Sequence, residues 1–185
     1  SGLTTTITNE KNYTKTEVRT VDGKLYEVTD NDGYKVQYGY DASGNMTSMT
    51  DPNTANNIET SIIYDDLGRK TSMNDPNKGY WLYTYNAFGE LVMQQDAVGN
   101  KVCQAYDSMG RMIKRIDDYA GDADQAKNHC AGDDTNPETT LWIYDSATYG
   151  KGKLHYISKG SNEYSEEYEY DEEGVLTSGP NSYRE

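Results

Sequence analysis

The side chains able to do chemistry are mostly carboxylates: 31 Asp and Glu stand against 17 Lys and Arg, two histidines and two cysteines. Paired carboxylates can divide acid and base roles across a scissile bond. Here, however, the acids recur at a fixed offset from glycine, which is the arrangement of a tight turn. Asp41/Gly44, Asp65/Gly68, Asp107/Gly110 and Asp171/Gly174 each put a carboxylate that accepts backbone hydrogen bonds at the first turn position and a residue tolerant of positive φ at the fourth. Gly89 occupies the same place behind Asn86. His129 is adjacent to Cys130, and neighbouring side chains on an extended chain point apart, so no nucleophile and base pair follows. His155 falls beside Tyr156 on a strand. Asp30 to Gly33 lacks the earlier oxygen ligand that an EF-hand loop needs, because Val28 stands there, and it reads as a turn. No catalytic residue, cofactor site or metal centre is assigned, and the chain reads as non-enzymatic.

Cys103 lies three residues before Tyr106, on the opposite strand face, while Cys130 lies in an acidic stretch. Two cysteines are too few for a disulfide scaffold or a four-cysteine zinc site. One bridge pinning the acidic stretch against the outside of the sheet and two free thiols are both open.

The elements that must position these groups repeat. Tyrosine, then glycine four residues on, then aspartate eleven residues on, recurs as Tyr40/Gly44/Asp51, Tyr64/Gly68/Asp75, Tyr85/Gly89/Asp96 and Tyr106/Gly110/Asp117. Counting back by twos from each tyrosine gives one aromatic and branched face, for example Tyr85, Tyr83, Trp81, the signature of a half-buried strand. A second strand follows each turn and ends at another, at Asp51-Pro52 and Asp75-Pro76 with proline presetting φ. A lone hairpin of this size is marginal in water, so neighbours must pair. The expectation is an antiparallel meander in which Tyr40, Tyr64, Tyr85, Tyr106, Tyr144 and Tyr170 stack as a ladder. Hairpins fill residues 1–117 and resume over 140–185 as part of the same sheet. The stretch 118–139, DYAGDADQAKNHCAGDDTNPET, lacks alternation and reads as an exposed insertion loop at a hairpin tip.

With only 25 Leu, Ile, Val and Phe and a formal charge of −14, the composition is that of a disordered chain, but 18 tyrosines held in register argue for a fold. The acid excess excludes a nucleic-acid partner. No apolar run of membrane-spanning length exists, and no charged-then-apolar leader opens the chain.

The motifs YDASGN (40–45), YDDLGRKTSMNDPNKG (64–79), YNAFGE (85–90), YDSMGRMIKRID (106–117), YDSATYGKGKL (144–154) and YDEEGVL (170–176) resemble the YD repeat of the Rhs family. That family includes bacterial polymorphic toxin shells, C components of insecticidal toxin complexes and teneurins. The resemblance implies an all-β fold of consecutive antiparallel hairpins forming a curved, open sheet, an arc of an Rhs-type shell. It implies a structural role in a secreted or cell-surface protein whose shell encloses a toxin or effector, with flanking repeats and that cargo as partners. Asp51-Pro52 and Asp75-Pro76 sit inside ordinary repeat turns, so the self-cleaving end of such shells is expected outside this chain. The alternative is an extracellular adhesion or interaction module that binds a protein or a glycan. Raw strand edges also suggest an edge-paired dimer.

Overall fold

The computed structural model describes residues 2–53, 58–131, 136–160 and 164–179. Among the described residues, fourteen antiparallel strands follow one another in chain order in one open sheet. The chain divides into two compact units, Ser1–Leu82 and Tyr83–Glu185.

The first unit holds β1 (Leu3–Thr8), β2 (Thr14–Arg19), β3 (Leu25–Thr29), β4 (Lys35–Tyr40), β5 (Met46–Asp51), β6 (Ile58–Tyr64), β7 (Lys70–Asp75) and the start of β8 (Gly79–Tyr85). Each strand pairs with the next, as in Ile62 opposite Met73 and Met73 opposite Trp81. Among its described residues the buried ones are Thr60 and Ser72, both polar. Its hydrophobic side chains are half-buried or exposed, as alternating two-faced strands require.

The second unit holds β9 (Leu91–Gln95), β10 (Lys101–Tyr106), β11 (Met112–Ile116), a short helix α1 (Ala123–Lys127), β12 (Thr139–Tyr144), β13 (Leu154–Lys159) and β14 (Tyr164–Glu167). Met93, Cys103 and Ile116 are directly opposite one another across β9, β10 and β11 and therefore share a face. That face is covered, and all the buried hydrophobic residues described in the chain belong to this one cluster: Val92, Met93, Cys103, Ala105, Ile116, Tyr119, Ala126 and Cys130.

Two expectations are corrected here. The stretch 118–139 is not simply an exposed loop at a hairpin tip. It carries α1 and folds back over β9 and β10, burying Tyr119, Ala126 and Cys130 against them. The reason is local as well as tertiary: Asp122 caps α1 by accepting from the Asp124 and Gln125 amides, and the Gln125 side chain accepts from the Asp122 amide, which completes a capping box. The expectation that 140–185 continues the same sheet holds through β14 only, because β15 (Glu169–Tyr170) and β16 (Leu176–Ser178) form a separate two-stranded sheet.

Five of the hairpins shift register at their tyrosine position. Tyr40 pairs with Met46, Tyr64 with Lys70, Tyr106 with Met112, Tyr144 with Leu154 and Tyr170 with Leu176, each one residue out of step with the pair before it. Such a bulge leaves one residue unopposed and increases local twist. The turn beyond it needs glycine for its left-handed backbone at Gly110 and Gly68, and at Gly110 for space as well. Gly110 has φ +77 and a Cβ there would stand 3.3 Å from the Glu90 carboxylate; Gly68 has φ +75, and a Cβ there would make only ordinary contact with the Asn45 amide oxygen at 3.5 Å. Gly110→Val is expected to cost about 1–2 kcal/mol through the left-handed backbone alone, lowering the thermal midpoint by several degrees, while Ser108→Ala in the same turn stays within about 0.5 kcal/mol of the parent. Calorimetry of both variants checks this.

Candidate functional site

The recurring polar constellation is the turn that follows each tyrosine. Asp65 accepts from the amides of Leu67 (3.0 Å) and Arg69 (2.9 Å) through Oδ1 and from Arg69 Nε (2.7 Å) through Oδ2. Asp107 repeats the pattern with the Met109 and Arg111 amides and Arg111 Nε. Asp41 accepts from the Asn45 amide and from Asn45 Nδ2, both at 2.9 Å. At Asn86 the polarity reverses: its Oδ1 accepts from the Phe88 and Glu90 amides while its Nδ2 donates to Glu90 Oε2 at 2.6 Å. Asp171 accepts from the Val175 amide, and Val175 has no polar side chain to return. Gly44, Gly68, Gly89, Gly110 and Gly174 each hold the fourth turn position.

The residue after the turn glycine reaches further, toward the next tyrosine in the chain. Tyr40 Oη donates to the Leu25 carbonyl (2.9 Å), Tyr64 to Met46 (2.9 Å), Tyr106 to Leu91 (3.1 Å) and Tyr170 to Leu154 (2.6 Å). Each acceptor opens the strand that follows the preceding turn. The residue just before that acceptor is in turn placed against the ring. Lys24 lies 5.4 Å from the Tyr40 centroid and Lys153 4.8 Å from that of Tyr170, while the Arg111 guanidinium lies 4.4 Å from that of Tyr144. A cation over an aromatic face contributes about 0.5–1 kcal/mol at exposed sites. Arg111 ties its own turn to the next, donating to Asp107 at 2.7 Å and to Asp145 at 2.6 Å. Tyr85 closes β8. For Tyr40, Tyr64, Tyr106 and Tyr170 the shared contact is thus a hydroxyl bond to the preceding hairpin.

The opposite turns use asparagine. Asn31 Oδ1 accepts from the Thr14 amide at 3.1 Å, and Asn53 Oδ1 accepts from the Lys35 amide at 3.1 Å while its Nδ2 donates to the Lys35 carbonyl at 2.7 Å. In the first unit, hairpins are therefore stitched at both ends of their strands.

These bonds account for the titration behaviour. The Arg69 amide, chiefly, holds the Asp65 carboxyl below its ordinary value, and the Asn45 side chain does the same for Asp41. The Arg111 side chain is the main cause of the lowered value at Asp145.

Other polar groups offer less. Cys103 and Cys130 are joined, Sγ to Sγ 2.10 Å, with both residues fully buried. The loop between them spans 27 residues, a closure that constrains the unfolded chain by about 3–4 kcal/mol. His129 and Cys130 both adopt left-handed backbone, φ 55 and 57. A trio not anticipated from sequence joins Ser146 Oγ to His155 Nδ1 (2.5 Å) and His155 Nε2 to Glu167 (3.2 Å). It has the order of a nucleophile relay, yet the Glu167 side chain is 59% exposed and Ser146 is exposed, so water competes for every bond a substrate would make. Its evident effect is to fasten the long 145–153 turn to β14. A cavity of about 570 Å³ lies between α1 and the turns at 86–90 and 107–108, with Phe88, Val92, Ala105 and Ala126 among its walls. The carboxylates on its border, Glu90 and Asp107, are already engaged within their turns. Among the described residues no group of three or more His, Cys, Asp or Glu is arranged to hold a metal ion.

Tyr106→Phe keeps the ring and removes the bond to Leu91, with an expected loss of about 1 kcal/mol, or about 2–4 °C in thermal midpoint for a chain of this size. Arg111→Gln is expected to lose more, because it strips Asp107 and Asp145 of their cation and Tyr144 of its ring contact. Acid provides an independent measurement. Since the folded-state values of Asp41, Asp65 and Asp145 lie below the ordinary 3.8, their stabilisation is complete above about pH 4 and is lost as pH falls through the folded-state values. Unfolding midpoints are expected to be flat from about pH 7 to 5 and to drop below about pH 4, with Asp65→Asn shallower on that acid limb.

Residues 21–55 match the family model described as RHS Repeat. That segment contains Lys24, Leu25 and Tyr40, and with them one copy of the tyrosine hydroxyl bond and of the cation placed against the ring. The fold is that of solved toxin structures. A crystal structure of TcdB2-TccC3-Cdc42 superposes with a TM-score of 0.63 at 18% identity, covering 92% of this chain and 9% of that one. A crystal structure of TcdB2-TccC3 gives 0.63 at 19% identity over 92% of this chain and 10% of that one. A Tc holotoxin pore of Photorhabdus luminescens gives 0.63 at 17% identity over 95% and 10%. The chain thus spans about a tenth of the length of the chains it superposes on. Comparison with curated proteins gave no match. Residues 21–55 thus carry the likeness to an RHS repeat, and the hairpins around them share the fold of the TcdB2-TccC3 structures.

Proposed function

We propose that this chain is a non-enzymatic stretch of wall in an exported Rhs/YD-repeat protein, and that the wall encloses a toxin or effector domain. The observation that carries the reading is the strictly sequential order of fourteen antiparallel strands, in the fold found in the TcdB2-TccC3 structures. A wall needs each hairpin fixed to its neighbour more than it needs a cleft, and the polar chemistry of the turns is spent on that fixing. Flanking repeats pair with the outer strands, whose unpaired backbone groups would otherwise invite irregular association. The enclosed domain is the partner on the inner side. Export is supported by the joined cysteines, which persist in oxidising surroundings. Among the described residues no helix is long and apolar enough to cross a membrane.

Cryo-electron microscopy of the complete polypeptide that carries this chain is expected to show its strands as consecutive rungs of a wall around enclosed density. In the same polypeptide Tyr64→Ala with Tyr106→Ala is expected to make the enclosed domain sensitive to added protease. A sheet with bulk solvent on both faces, or a cargo equally protected in the double variant, overturns the reading.

A further inference from the structure

We propose that the Cys103–Cys130 bridge is a redox latch that holds the segment 118–131 as a cover over the β9–β11 face, closed when oxidised and open when reduced. The inference rests on the packing of this segment and stands whether or not the chain forms a wall.

The cover's own secondary structure is slight. Its α1 is five residues long, far short of what sustains an isolated helix in water. Its buried side chains are one tyrosine, one alanine and the cysteine itself: Tyr119, Ala126 and Cys130. Three hydrogen bonds are among its polar ties. The Tyr119 amide donates to the Lys101 carbonyl (2.8 Å), Lys101 Nζ to the Gly121 carbonyl (2.9 Å), and Tyr119 Oη to the Ala131 carbonyl (3.0 Å). The first two of these anchor the start of the segment, while the bridge alone anchors its far end covalently. Without it, the contacts at the far end include Ala126 packing, the Tyr119 Oη bond to the Ala131 carbonyl and Lys114 Nζ near the Cys130 carbonyl at 3.5 Å, none of them covalent.

The location makes the latch consequential. The face beneath carries Met93, Cys103, Ala105 and Ile116, which lie within the cluster that holds all the buried hydrophobic residues described in the chain. Lifting the cover exposes that face to water. Both cysteines are fully buried, so a reductant reaches the bond only when the cover breathes. Once it does, a dithiol reductant attacks one sulfur and breaks the S–S bond, forming a mixed disulfide. The reductant's second thiol displaces that sulfur and closes its own disulfide; two protons taken up leave Cys103 and Cys130 as thiols. The opening that admitted the reductant then persists, because the covalent anchor is gone.

Hydrogen exchange on the whole chain, oxidised and after reduction, tests this, with intact mass under denaturing, non-reducing conditions establishing the two-hydrogen deficit of the bridged form. Reduction is expected to speed exchange at Ala126, Asn128 and Cys130 at least tenfold and to raise tryptic cleavage after Lys127 in parallel. Exchange across β4–β7 should change less than twofold, and reoxidation should restore protection. Cys103→Ser with Cys130→Ser should match the reduced protein; if that variant fails to fold, the reduce-and-reoxidise cycle of the parent decides alone. Unchanged exchange in the segment, equal loss throughout residues 83–179, or absence of the mass deficit each overturns the latch.

Discussion

The structure depends on one repeated hydrogen bond, from a tyrosine hydroxyl to the carbonyl of the residue that opens the second strand of the preceding hairpin. A ladder of backbone bonds between polar strands exchanges with water at little net gain. Strand pairing by itself therefore leaves register weakly fixed when neither face is strongly apolar. The tyrosine supplies both missing parts. Its ring brings a large apolar surface to the junction, and its hydroxyl accepts only one register, because a slip of one residue would carry it to the wrong carbonyl. Bonds at Tyr40, Tyr64, Tyr106 and Tyr170 all obey this rule, although the spacing to the acceptor varies between 15 and 18 residues. The geometry is held while the loops differ.

The residue after the turn glycine serves two hairpins. Backward, Asn45, Arg69, Glu90 and Arg111 close their own turns by bonding the first turn residue; forward, Lys24, Arg111 and Lys153 lie against the next tyrosine. Read as an arginine position it looks irregular, since the sequence has Lys24, Asn45, Arg69, Glu90, Arg111, Lys153 and Val175 there. Read as a partner for the first turn residue it is consistent. Asp pairs with Arg or Asn, and the one unit with Asn86 in place of aspartate has Glu90 opposite, so the hydrogen bond survives with donor and acceptor exchanged. Lys24, Lys153 and Val175 depart from this pairing: Lys24 pairs with Asp22 and Lys153 Nζ donates to the Gly174 carbonyl, while Val175 lies in the small β15–β16 sheet that stands apart from the fourteen strands.

What was legible in the sequence is what local chemistry decides. The Asp-to-Gly turns are closed by bonds within five residues, so their composition announces them. The alternation before each tyrosine likewise follows from the two-residue period of a strand. The destination of the tyrosine hydroxyl was not legible, because it lies in the preceding hairpin and a backbone carbonyl leaves no trace in composition. The register shift at each tyrosine was missed for the same reason. The packing of residues 118–131 was partly legible: Asp122 and Gln125 stand at capping-box spacing, a helix-start signal that the surrounding acids obscured. Its docking surface was not, since Ile116 and Met93 look like ordinary alternating strand residues until a cover lies on them. Ser146 and His155 meet only because the turn between them is longer, and no spacing rule for strands anticipates that contact.

The two units solve the same stability problem by different means. In the first, the buried side chains described are Thr60 and Ser72, and Thr60 spends its hydroxyl on Asp75 at 3.0 Å. Order there rests on polar stitching at both strand ends, a set of small contributions that acid can weaken. In the second unit, full burial of Ile116 alone contributes about 1.5–3 kcal/mol, and it is achieved only because a stretch poor in apolar residues spends its few on one face. A chain with 25 aliphatic and phenylalanine residues in 185 cannot cover every hairpin this way. Concentrating them at one covered patch and leaving the rest to tyrosine and aspartate lets a long sheet keep its register with few apolar residues, and this is why the repeat is defined by those two residue types rather than by leucine or valine.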